Sequence, residues 1–321
     1  MKGETVPGMQ LLDAVVLGRE SVADGVVRIT LGTPDRRALP EWEPGAHIDV
    51  HLGSLIRQYS LCSSPQKRDH YQIAVLREPF SRGGSSHVHD RLAVGDPLQI
   101  SPPRNHFAQV DAAKYVFIAG GIGITPMIPM IEAAERKGAD WRLVYGGRTA
   151  ASMAFVDDLM QYGARVELFP EDTCGRINLH AVLSQPVPET SVYCCGPEGL
   201  LRSVESLCAL WPAGSLHTER FSPIPDTGNL HSNTAFEVQF AKSGVILTVP
   251  PERSILEVAE EAGVPVVYSC EEGTCGSCET PLLAGLPDHR DSVLTDEQRR
   301  ACSSMMICVS RARSPQLVLD A

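Results

Sequence analysis

Four cysteines near the C-terminus have the spacing of metal ligands. They are Cys270, Cys275, Cys278 and Cys308. The order Cys-x4-Cys-x2-Cys, followed by a long gap and a last cysteine, is the plant-type spacing for a [2Fe–2S] cluster. The intervening Gly273, Gly276 and Ser277 are small enough to let backbone N–H groups turn toward cluster sulfurs. The sequence therefore predicts an electron-transfer site.

Three other interpretations of these cysteines remain open. Structural zinc also uses four thiolates, but it usually takes two separate Cys-x2–4-Cys pairs, and the fourth cysteine here has no near partner. A dithiol redox pair at Cys275 and Cys278 leaves Cys270 unexplained. Disulfides are disfavoured because the sequence opens with Met1 and has no apolar stretch long enough for a signal peptide or a membrane span. We expect reduced thiols in a cytoplasmic protein.

Length and charge narrow the class of protein. A chain of 321 residues suits two or three domains, each with its own core. The net charge of −11 argues against nucleic acid or an anionic membrane as a partner. It suits docking to a basic patch on another protein, although solubility alone also accounts for it. We expect a monomer.

The first third of the chain has the pattern of an antiparallel β-barrel. Residues 11–110 contain short apolar or alternating runs, at 26–31, 47–52 and 71–76, separated by Pro and Gly. The pattern changes at Lys114, where continuous buried strands at 114–119, 141–145 and 191–195 alternate with helical segments, the first at 126–137. This alternation predicts a doubly wound parallel sheet.

A third pattern begins after a segment rich in turn-forming residues. Residues 223–233 contain Pro, Gly, Ser and Asn and few apolar side chains, which is typical of a linker. Two strands are predicted next, at 236–240 and 245–249. A helix over 254–262 begins with a capping box, Ser254 with Glu257, and ends at Gly263.

Two motifs in the barrel region suit a flavin. Arg57-Gln58-Tyr59-Ser60 follows a strand and supplies a cation for a phosphate, an aromatic ring and a hydroxyl. Gly83-Gly-Ser-Ser86 precedes a predicted helix over 86–92, and glycines that open a helix present N–H groups to an anion. Each motif alone is as consistent with an ordinary surface strand or loop, but the pair favours a phosphate site.

Two motifs in the parallel-sheet region suit a dinucleotide. Gly120-Gly-Ile-Gly-Ile-Thr-Pro-Met127 joins a buried strand to a helix, so a pyrophosphate can approach its backbone, although it departs from Gly-x-Gly-x-x-Gly. Cys194-Cys-Gly-Pro197 ends the last predicted parallel strand and is expected at the same crevice. We favour Cys195 over Cys194 for contact with a reacting ring because Cys195 adjoins the Gly-Pro turn.

Taken in order, these motifs resemble the phthalate dioxygenase reductase family of the ferredoxin–NADP reductase superfamily. The resemblance covers nearly the whole chain. Asp288-His-Arg-Asp291 and Cys308-Val-Ser-Arg311 are similar to that family too, and this context favours Cys308 over Cys302 as the fourth ligand. The resemblance implies an FMN-binding β-barrel domain over 1–111, an NADH-binding α/β domain over 112–222, the linker at 223–233 and a β-grasp plant-type [2Fe–2S] ferredoxin domain over 234–321.

The resemblance also implies which residues meet the cofactors. Cys195, Ser60 and Thr125 are expected at the reacting atoms, and Phe221 is expected to cover the flavin face. The full set expected to bind FMN or NADH is Arg57, Gln58, Tyr59, Ser60, Arg77, Gly84, Ser85, Ser86, Gly120, Gly121, Gly123, Thr125, Pro126, Arg148, Cys195, Gly196 and Phe221.

Alternatives remain for both organic cofactors. FAD is the rival flavin, but it needs an adenine site, and no aromatic-rich segment follows the barrel loop. NADPH is the rival nucleotide. Glu171 and Asp172 follow a predicted strand and would repel a 2′-phosphate, whereas Arg148 and Arg176 would attract one. We expect FMN and NADH.

The expected function is that of the reductase component of a Rieske-type oxygenase system, of the ring-hydroxylating or O-demethylating class. Electrons would pass from NADH to FMN, then to the [2Fe–2S] cluster and on to the oxygenase. Two alternatives remain open: a stand-alone NADH oxidoreductase with a quinone or ferric acceptor, and a redox sensor with a structural metal.

Overall fold

The computed structural model describes residues 11–79, 83–223 and 233–321. Its first six strands form an antiparallel sheet in the order β4-β3-β6-β1-β2-β5. Their bounds are β1 Leu12–Ala23, β2 Val26–Gly32, β3 His47–Leu52, β4 Leu55–Ser60, β5 Tyr71–Leu76 and β6 Pro97–Ile100. Beyond β4, the backbone N–H of Cys62 donates to the carbonyl of Gln72 in β5 over 2.9 Å. This bond joins the two edges of the sheet, and the predicted β-barrel is confirmed.

The next five strands form a parallel sheet in the order β11-β10-β7-β8-β9. Their bounds are β7 Lys114–Gly120, β8 Asp140–Gly147, β9 Val166–Pro170, β10 Thr190–Cys195 and β11 Leu216–Glu219. The chain moves outward one way from β7 to β9 and the other way from β10 to β11. The predicted doubly wound sheet is confirmed, with its switch point between β7 and β10.

Short helices connect the strands of the first two sheets. Their bounds are α1 Gly84–Asp90, α2 Met127–Lys137, α3 Val156–Met160, α4 Glu171–Cys174, α5 Leu179–Leu183 and α6 Glu198–Cys208. Helix α1 begins two residues earlier than the predicted 86–92, because Gly83 takes a left-handed φ of 93° and lets the helix start at Gly84. Helix α2 starts at Met127, and Pro126 forms its cap.

The C-terminal region forms a mixed five-stranded sheet in the order β13-β12-β18-β14-β16, with a separate pair, β15 and β17. The bounds are β12 Phe236–Phe240, β13 Ile246–Val249, α7 Ile255–Glu261, β14 Glu279–Ala284, β15 Pro287–Asp288, α8 Asp296–Ala301, β16 Ser304–Met306, β17 Arg311–Ala312 and β18 Gln316–Leu319. Ser254 and Glu257 form the predicted capping box of α7. The predicted β-grasp ferredoxin fold is confirmed.

The chain divides into two compact units, Leu11–Glu219 and a second one built mainly from Arg220–Ala321. Barrel and parallel sheet belong to the first unit and share one apolar core, in which Val26, Cys62 and Ala74 pack with side chains of the sheet. The predicted linker lies largely outside the described residues, and the exact domain boundaries stay a prediction. No helix among the described residues is long and apolar enough to cross a membrane.

Candidate redox sites

The four predicted ligand cysteines come together in the second unit. Sγ of Cys278 lies 3.2 Å from Sγ of Cys308. The Cys270 thiol is within hydrogen-bonding reach of the thiols of Cys275 and Cys308. The fourth sulfur, 30 residues from its nearest predicted co-ligand, is therefore brought to the loop by the sheet that carries β14 and β16.

Backbone N–H groups point at two of these sulfurs. Glu272 and Thr274 direct their N–H groups to Sγ of Cys270 over 3.3 and 3.5 Å, and Ser277 directs its N–H to Sγ of Cys275 over 3.4 Å. Hydrogen bonds from Cys275, Cys308 and this backbone lower the pKa of the Cys270 thiol. Four thiols with inward N–H donors fit an iron–sulfur cluster, which needs thiolate ligands and donors to its sulfurs.

The loop that carries these cysteines, residues 270–278, is fixed at Gly273. This glycine has a φ of 68°, and a Cβ there would lie 3.0 Å from Cα of Asp291. Its carbonyl accepts two hydrogen bonds from Ser292, from the backbone N–H over 2.8 Å and from the hydroxyl over 3.1 Å. Asp291 itself is fully buried, and its carboxylate accepts from the N–H groups of Val293 and Leu294. The segment around Asp291 therefore holds the cysteine loop in place.

Cys302 is placed differently from Cys308. It caps α8 with a left-handed φ of 48°, and its thiol donates to the carbonyl of Arg299 over 3.1 Å. The structure thus supports the choice of Cys308 as the fourth ligand.

The two predicted flavin motifs meet at the start of α1. A Cβ on Gly84 would lie 2.6 Å from Cγ and 2.8 Å from Nε of Arg57, so the arginine lies directly across this glycine. Tyr59 is largely buried next to them, and burial raises its pKa to about 12, which keeps the ring neutral. A cation beside the backbone at the start of α1, followed by an aromatic ring, fits a flavin phosphate and its ring system.

Other predicted flavin residues are already engaged within the protein. Arg77 forms a two-pronged ion pair with Asp90 of α1, with N–O distances of 2.6 and 3.0 Å. The Ser85 hydroxyl accepts from the N–H of Glu78 over 3.1 Å, while Ser86 is half-buried in the first turn of α1. Any phosphate contact of Arg77 would therefore be shared with Asp90.

Gln58 is turned into the barrel. Its amide donates to the Asp49 carboxylate over 2.9 Å, and Arg104 donates to the same oxygen over 2.7 Å. Asp49 is fully buried. Gln58 thus anchors the motif strand β4 to β3, and its predicted contact with a cofactor stays a prediction.

The two predicted nucleotide motifs lie side by side at the switch point. A Cβ on Gly123 would lie 2.3 Å from the carbonyl oxygen of Cys195, and one on Gly196 would lie 2.9 Å from Cα of Gly120. Gly121 adopts a φ of 55°. The two turns are therefore in direct contact at one edge of the sheet, in agreement with the sequence prediction that they face the same crevice.

Thr125 and Pro126 end the first of these turns. The Thr125 hydroxyl donates to the carbonyl of Ile122 over 3.0 Å, and the side chain is 2% exposed. Arg148 follows β8 at the same sheet edge and is exposed. Phe221 is 44% exposed and belongs to the second unit, so its contact with a flavin stays a prediction.

Ser60, Cys195 and Glu219 converge where the barrel meets the carboxyl edge of the parallel sheet. The Ser60 hydroxyl donates to Oε2 of Glu219 over 3.4 Å, and Sγ of Cys195 lies 4.0 Å from the same oxygen. Burial raises the pKa of Glu219 to about 8 and raises that of the Cys195 thiol as well. Near pH 7 the three groups form an uncharged cluster.

Sequence reasoning missed Glu219. The four-residue strand β11, which ends at Glu219, was not predicted. The available signal was a carboxylate that directly ends an alternating Leu-His-Thr-Glu run, which is the position where ligands bind in parallel sheets.

Comparison with known proteins identifies two of the domains. The family model for a 2Fe-2S iron-sulfur cluster binding domain matches residues 238–313, and that for an oxidoreductase NAD-binding domain matches residues 117–206. The chain is 38% identical to the phthalate dioxygenase reductase of Burkholderia cepacia, over 95% of this chain and 96% of that protein. The chain belongs to the phthalate dioxygenase reductase family. It is accordingly an electron-transfer oxidoreductase with an NAD-binding and a [2Fe–2S] domain.

Two solved structures and another relative extend this result. The solved phthalate dioxygenase reductase, described as a modular structure for electron transfer from pyridine nucleotides to [2Fe–2S], matches with a TM-score of 0.71 over 97% of this chain and 98% of its own. The carnitine monooxygenase reductase subunit of Escherichia coli is 41% identical over 97% of this chain and 98% of its own. An intact type IV self-sufficient cytochrome P450 monooxygenase matches with a TM-score of 0.92 and 42% identity. The match covers 97% of this chain but only 41% of that larger protein.

We predict that Cys308→Ser abolishes assembly of the [2Fe–2S] cluster, whereas Cys302→Ser leaves it intact. Only the Cys308 thiol lies with the other three sulfurs. Iron and acid-labile sulfide are measured on the purified variants, together with visible absorption. Normal cluster content in Cys308→Ser, or its loss in Cys302→Ser, would contradict the assignment.

We predict that Gly123→Ala weakens NADH binding by about tenfold or more, because the added methyl group would press on the Cys195 carbonyl and displace the turn. The dissociation constant for NADH is measured by titration. The matched control is Gly199→Ala in α6, where an added Cβ meets nothing within 4 Å. Equal affinities in the two variants would show that the close approach does not matter for binding.

We predict that the rate of flavin reduction by NADH falls as the pH rises through about 8 and that Glu219→Gln removes this step. Loss of the Glu219 proton places a negative charge where a hydride must arrive, which opposes transfer. The raised pKa of Glu219 also makes the free energy of unfolding depend on pH. The stabilising contribution is complete below pH 4.5, the pKa of the carboxyl in the unfolded chain, and it is lost as the pH rises through 8. Stopped-flow rates from pH 6 to 9.5 test the prediction. A step of equal size in Glu219→Gln would assign it to another group.

Proposed function

We propose that the protein transfers electrons from NADH through FMN and a [2Fe–2S] cluster to the terminal component of a Rieske-type oxygenase. The family membership and the two domain models support this proposal. So does the related solved phthalate dioxygenase reductase, a modular structure for electron transfer from pyridine nucleotides to [2Fe–2S].

One observation carries the proposal. Ser60, which ends the flavin motif of the barrel, lies 3.4 Å from Glu219 at the sheet edge that also presents Cys195 and the Gly120–Gly123 turn. A flavin motif and a nicotinamide motif therefore meet at one point. Hydride transfer requires this arrangement, since the two rings must be in contact.

The cofactors would supply the electron chemistry: a flavin accepts a hydride and can release electrons singly, and a [2Fe–2S] cluster carries one at a time. The protein contributes binding and orientation. Arg57 would neutralise the flavin phosphate, and the Ser60 hydroxyl and the Cys195 thiol would border the reacting rings. Glu219 holds a proton next to them at neutral pH. Cys270, Cys275, Cys278 and Cys308 would hold the cluster.

Acidic residues at the end of β9 support NADH over NADPH. Glu171 and Asp172 form the first turn of α4, and Nε of Arg176 lies 4.0 Å from a carboxylate oxygen of Glu171. The N–H of Asp172 donates to the carbonyl of Arg148 over 3.2 Å, so acids and the exposed Arg148 share this edge. A 2′-phosphate would meet two carboxylates there.

The oxygenase partner is proposed by analogy with the relatives, two of which are named as reductases of a dioxygenase or a monooxygenase system. We further propose a cytoplasmic location and a monomeric state. A haem monooxygenase is a second candidate acceptor, because the chain matches part of a self-sufficient cytochrome P450 with a TM-score of 0.92.

The purified protein tests the proposal directly. We expect flavin and iron–sulfur absorption together, release of FMN on denaturation, and bleaching of both chromophores by NADH under anaerobic conditions. Reconstitution with a Rieske oxygenase and with a haem monooxygenase then separates the two acceptors. A stand-alone reductase would be favoured by two results together. The Cys308→Ser variant would reduce a quinone or ferric chelate as well as the wild type does, and the wild type would reduce neither oxygenase. Absence of both chromophores would reject the proposal altogether.

We predict that neutralising three acids at the cysteine loop, with Glu271→Gln, Glu272→Gln and Glu279→Gln combined, slows reduction of the oxygenase about tenfold at low salt. Burial and neighbouring acids raise the pKa of Glu271, which marks a concentration of negative charge there. NADH-to-flavin reduction should be unchanged, and the difference should shrink at high salt.

The matched control neutralises three exposed acids of the same unit outside the loop. They are Glu237, Glu252 and Glu297. An equal effect of both triple variants would show that total charge, rather than the cysteine loop, governs docking. Loss of flavin reduction in the first variant would point to a structural defect.

A further inference from the structure

Residues 101–113 connect the barrel strand β6 to the first parallel strand β7, and two buried tyrosines hold this connection. The Tyr193 hydroxyl accepts from the N–H of Val110 over 2.7 Å and donates to the carbonyl of Ala108 over 3.1 Å. The Tyr115 hydroxyl accepts from the N–H of Ala112 over 3.0 Å and donates to the carbonyl of Val110 over 2.9 Å. Four backbone groups of the connection are thus bonded to the sheet.

Both hydroxyls are suited to this double role. Tyr193 is fully buried and Tyr115 is 2% exposed. Burial raises the pKa of Tyr193, so its hydroxyl keeps the proton that it donates to Ala108. A tyrosine hydroxyl that donates once and accepts once is satisfied in a buried setting.

The same connection is also fixed to the barrel. A Cβ on Gly45 would lie 2.0 Å from the carbonyl oxygen of Phe107, so the two backbones touch. The Phe107 ring packs edge-on against Tyr193 at 5.4 Å between centroids. Arg104, three residues earlier, pairs with the buried Asp49 of β3 over 2.7 Å. The connection is therefore held by both the barrel and the parallel sheet, and it fixes the position of one relative to the other.

Tyr193 lies on the strand that carries Cys195, one of the three residues that meet at the sheet edge with Ser60 and Glu219. It precedes Cys195 by two residues on β10, and residues two apart on a strand face the same side. The ring of His217 stacks on Tyr193 at 4.6 Å and 15°, and His217 precedes Glu219 by two residues on β11. The ring of Tyr193 therefore contacts the ring of His217, and the Tyr193 hydroxyl is bonded to the connection. Each ring lies two residues before one member of the pair Cys195 and Glu219.

We propose that the Tyr193 and Tyr115 hydroxyls clamp the 108–112 segment and so set the position of the nicotinamide half of the site relative to the flavin half. Tyr193 is then a positioning residue for hydride transfer. This inference rests on the proposed NADH-to-flavin step. An error in position of about 1 Å lowers such a rate up to about a hundredfold.

The test compares Tyr193→Phe with Tyr71→Phe in the NADH-reducible holoprotein. Tyr71 is an equally buried tyrosine of the barrel whose hydroxyl donates to the carbonyl of Pro40 over 2.6 Å. Each variant loses buried hydroxyl bonds, but only one touches the clamp. We expect Tyr193→Phe to lower the limiting rate of flavin reduction about tenfold or more, with the NADH dissociation constant within twofold and the FMN content unchanged. Tyr71→Phe should keep the wild-type rate.

Amide hydrogen exchange supplies a readout that is independent of activity. The Val110 amide should exchange faster in Tyr193→Phe and the Ala112 amide faster in Tyr115→Phe, with neither changed in Tyr71→Phe. Unchanged exchange in both clamp variants would overturn the clamp. Faster exchange with a wild-type hydride rate would overturn its positioning role. If NADH fails to reduce the wild-type flavin, the proposed function fails, and the exchange data still decide whether the hydroxyls hold the segment.

Discussion

Direct backbone contact between two turns is the constraint on which the hydride-transfer site depends. Strands β7 and β10 are neighbours in the sheet, and adjacent strands lie about 4.8 Å apart. Their C-terminal turns can lie side by side only if neither carries a side chain between them, and Gly120, Gly123 and Gly196 meet that requirement. A Cβ on Gly121, in the first turn, would meet nothing within 4 Å, so this part of the turn is open. The strand order places a switch point at these turns, and a switch point is where ligands bind in sheets of this kind.

The crevice becomes a redox site only because the barrel is fixed against it. A shared apolar core, rather than a flexible joint, connects the two halves of the first unit, and the N–H of Asp24 donates to the carbonyl of Ala151 across them over 2.8 Å. Ser64 adds a bond to Glu132 over 2.6 Å. This packing brings Ser60 to Glu219. The precision of the site thus depends on packing in this shared core, to which Cys195 itself belongs, as is typical of a preorganised catalytic arrangement.

Motifs formed by neighbouring residues could be predicted from the sequence, whereas contacts between residues far apart in the chain could not. Cysteine spacing, glycine turns and the Ser254 capping box each depend on neighbours within a few residues, so these motifs and several strand positions were predictable. The three-domain fold followed from the family resemblance that the motifs carry. Glu219 was missed because its role comes from contact with Ser60, 159 residues away. The engagement of Arg77 by Asp90 and of Gln58 by Asp49 likewise depends on how α1 and β3 pack. The start of α1 was predicted two residues too late because the left-handed Gly83 lets the helix begin at Gly84.

Charge is arranged differently at the two ends of the proposed electron path. Where a hydride would arrive, burial keeps Cys195, Glu219 and Tyr59 in their neutral forms near pH 7, so no fixed negative charge opposes transfer. At the cysteine loop, hydrogen bonds favour a thiolate at Cys270, and acids at 271, 272 and 279 surround it. Added negative charge at a cluster makes its reduction harder and its oxidation easier. The acids would therefore ease release of an electron from a bound cluster and equally oppose its reduction, whereas the neutral groups at the other end would add no charge that opposes arrival of a hydride.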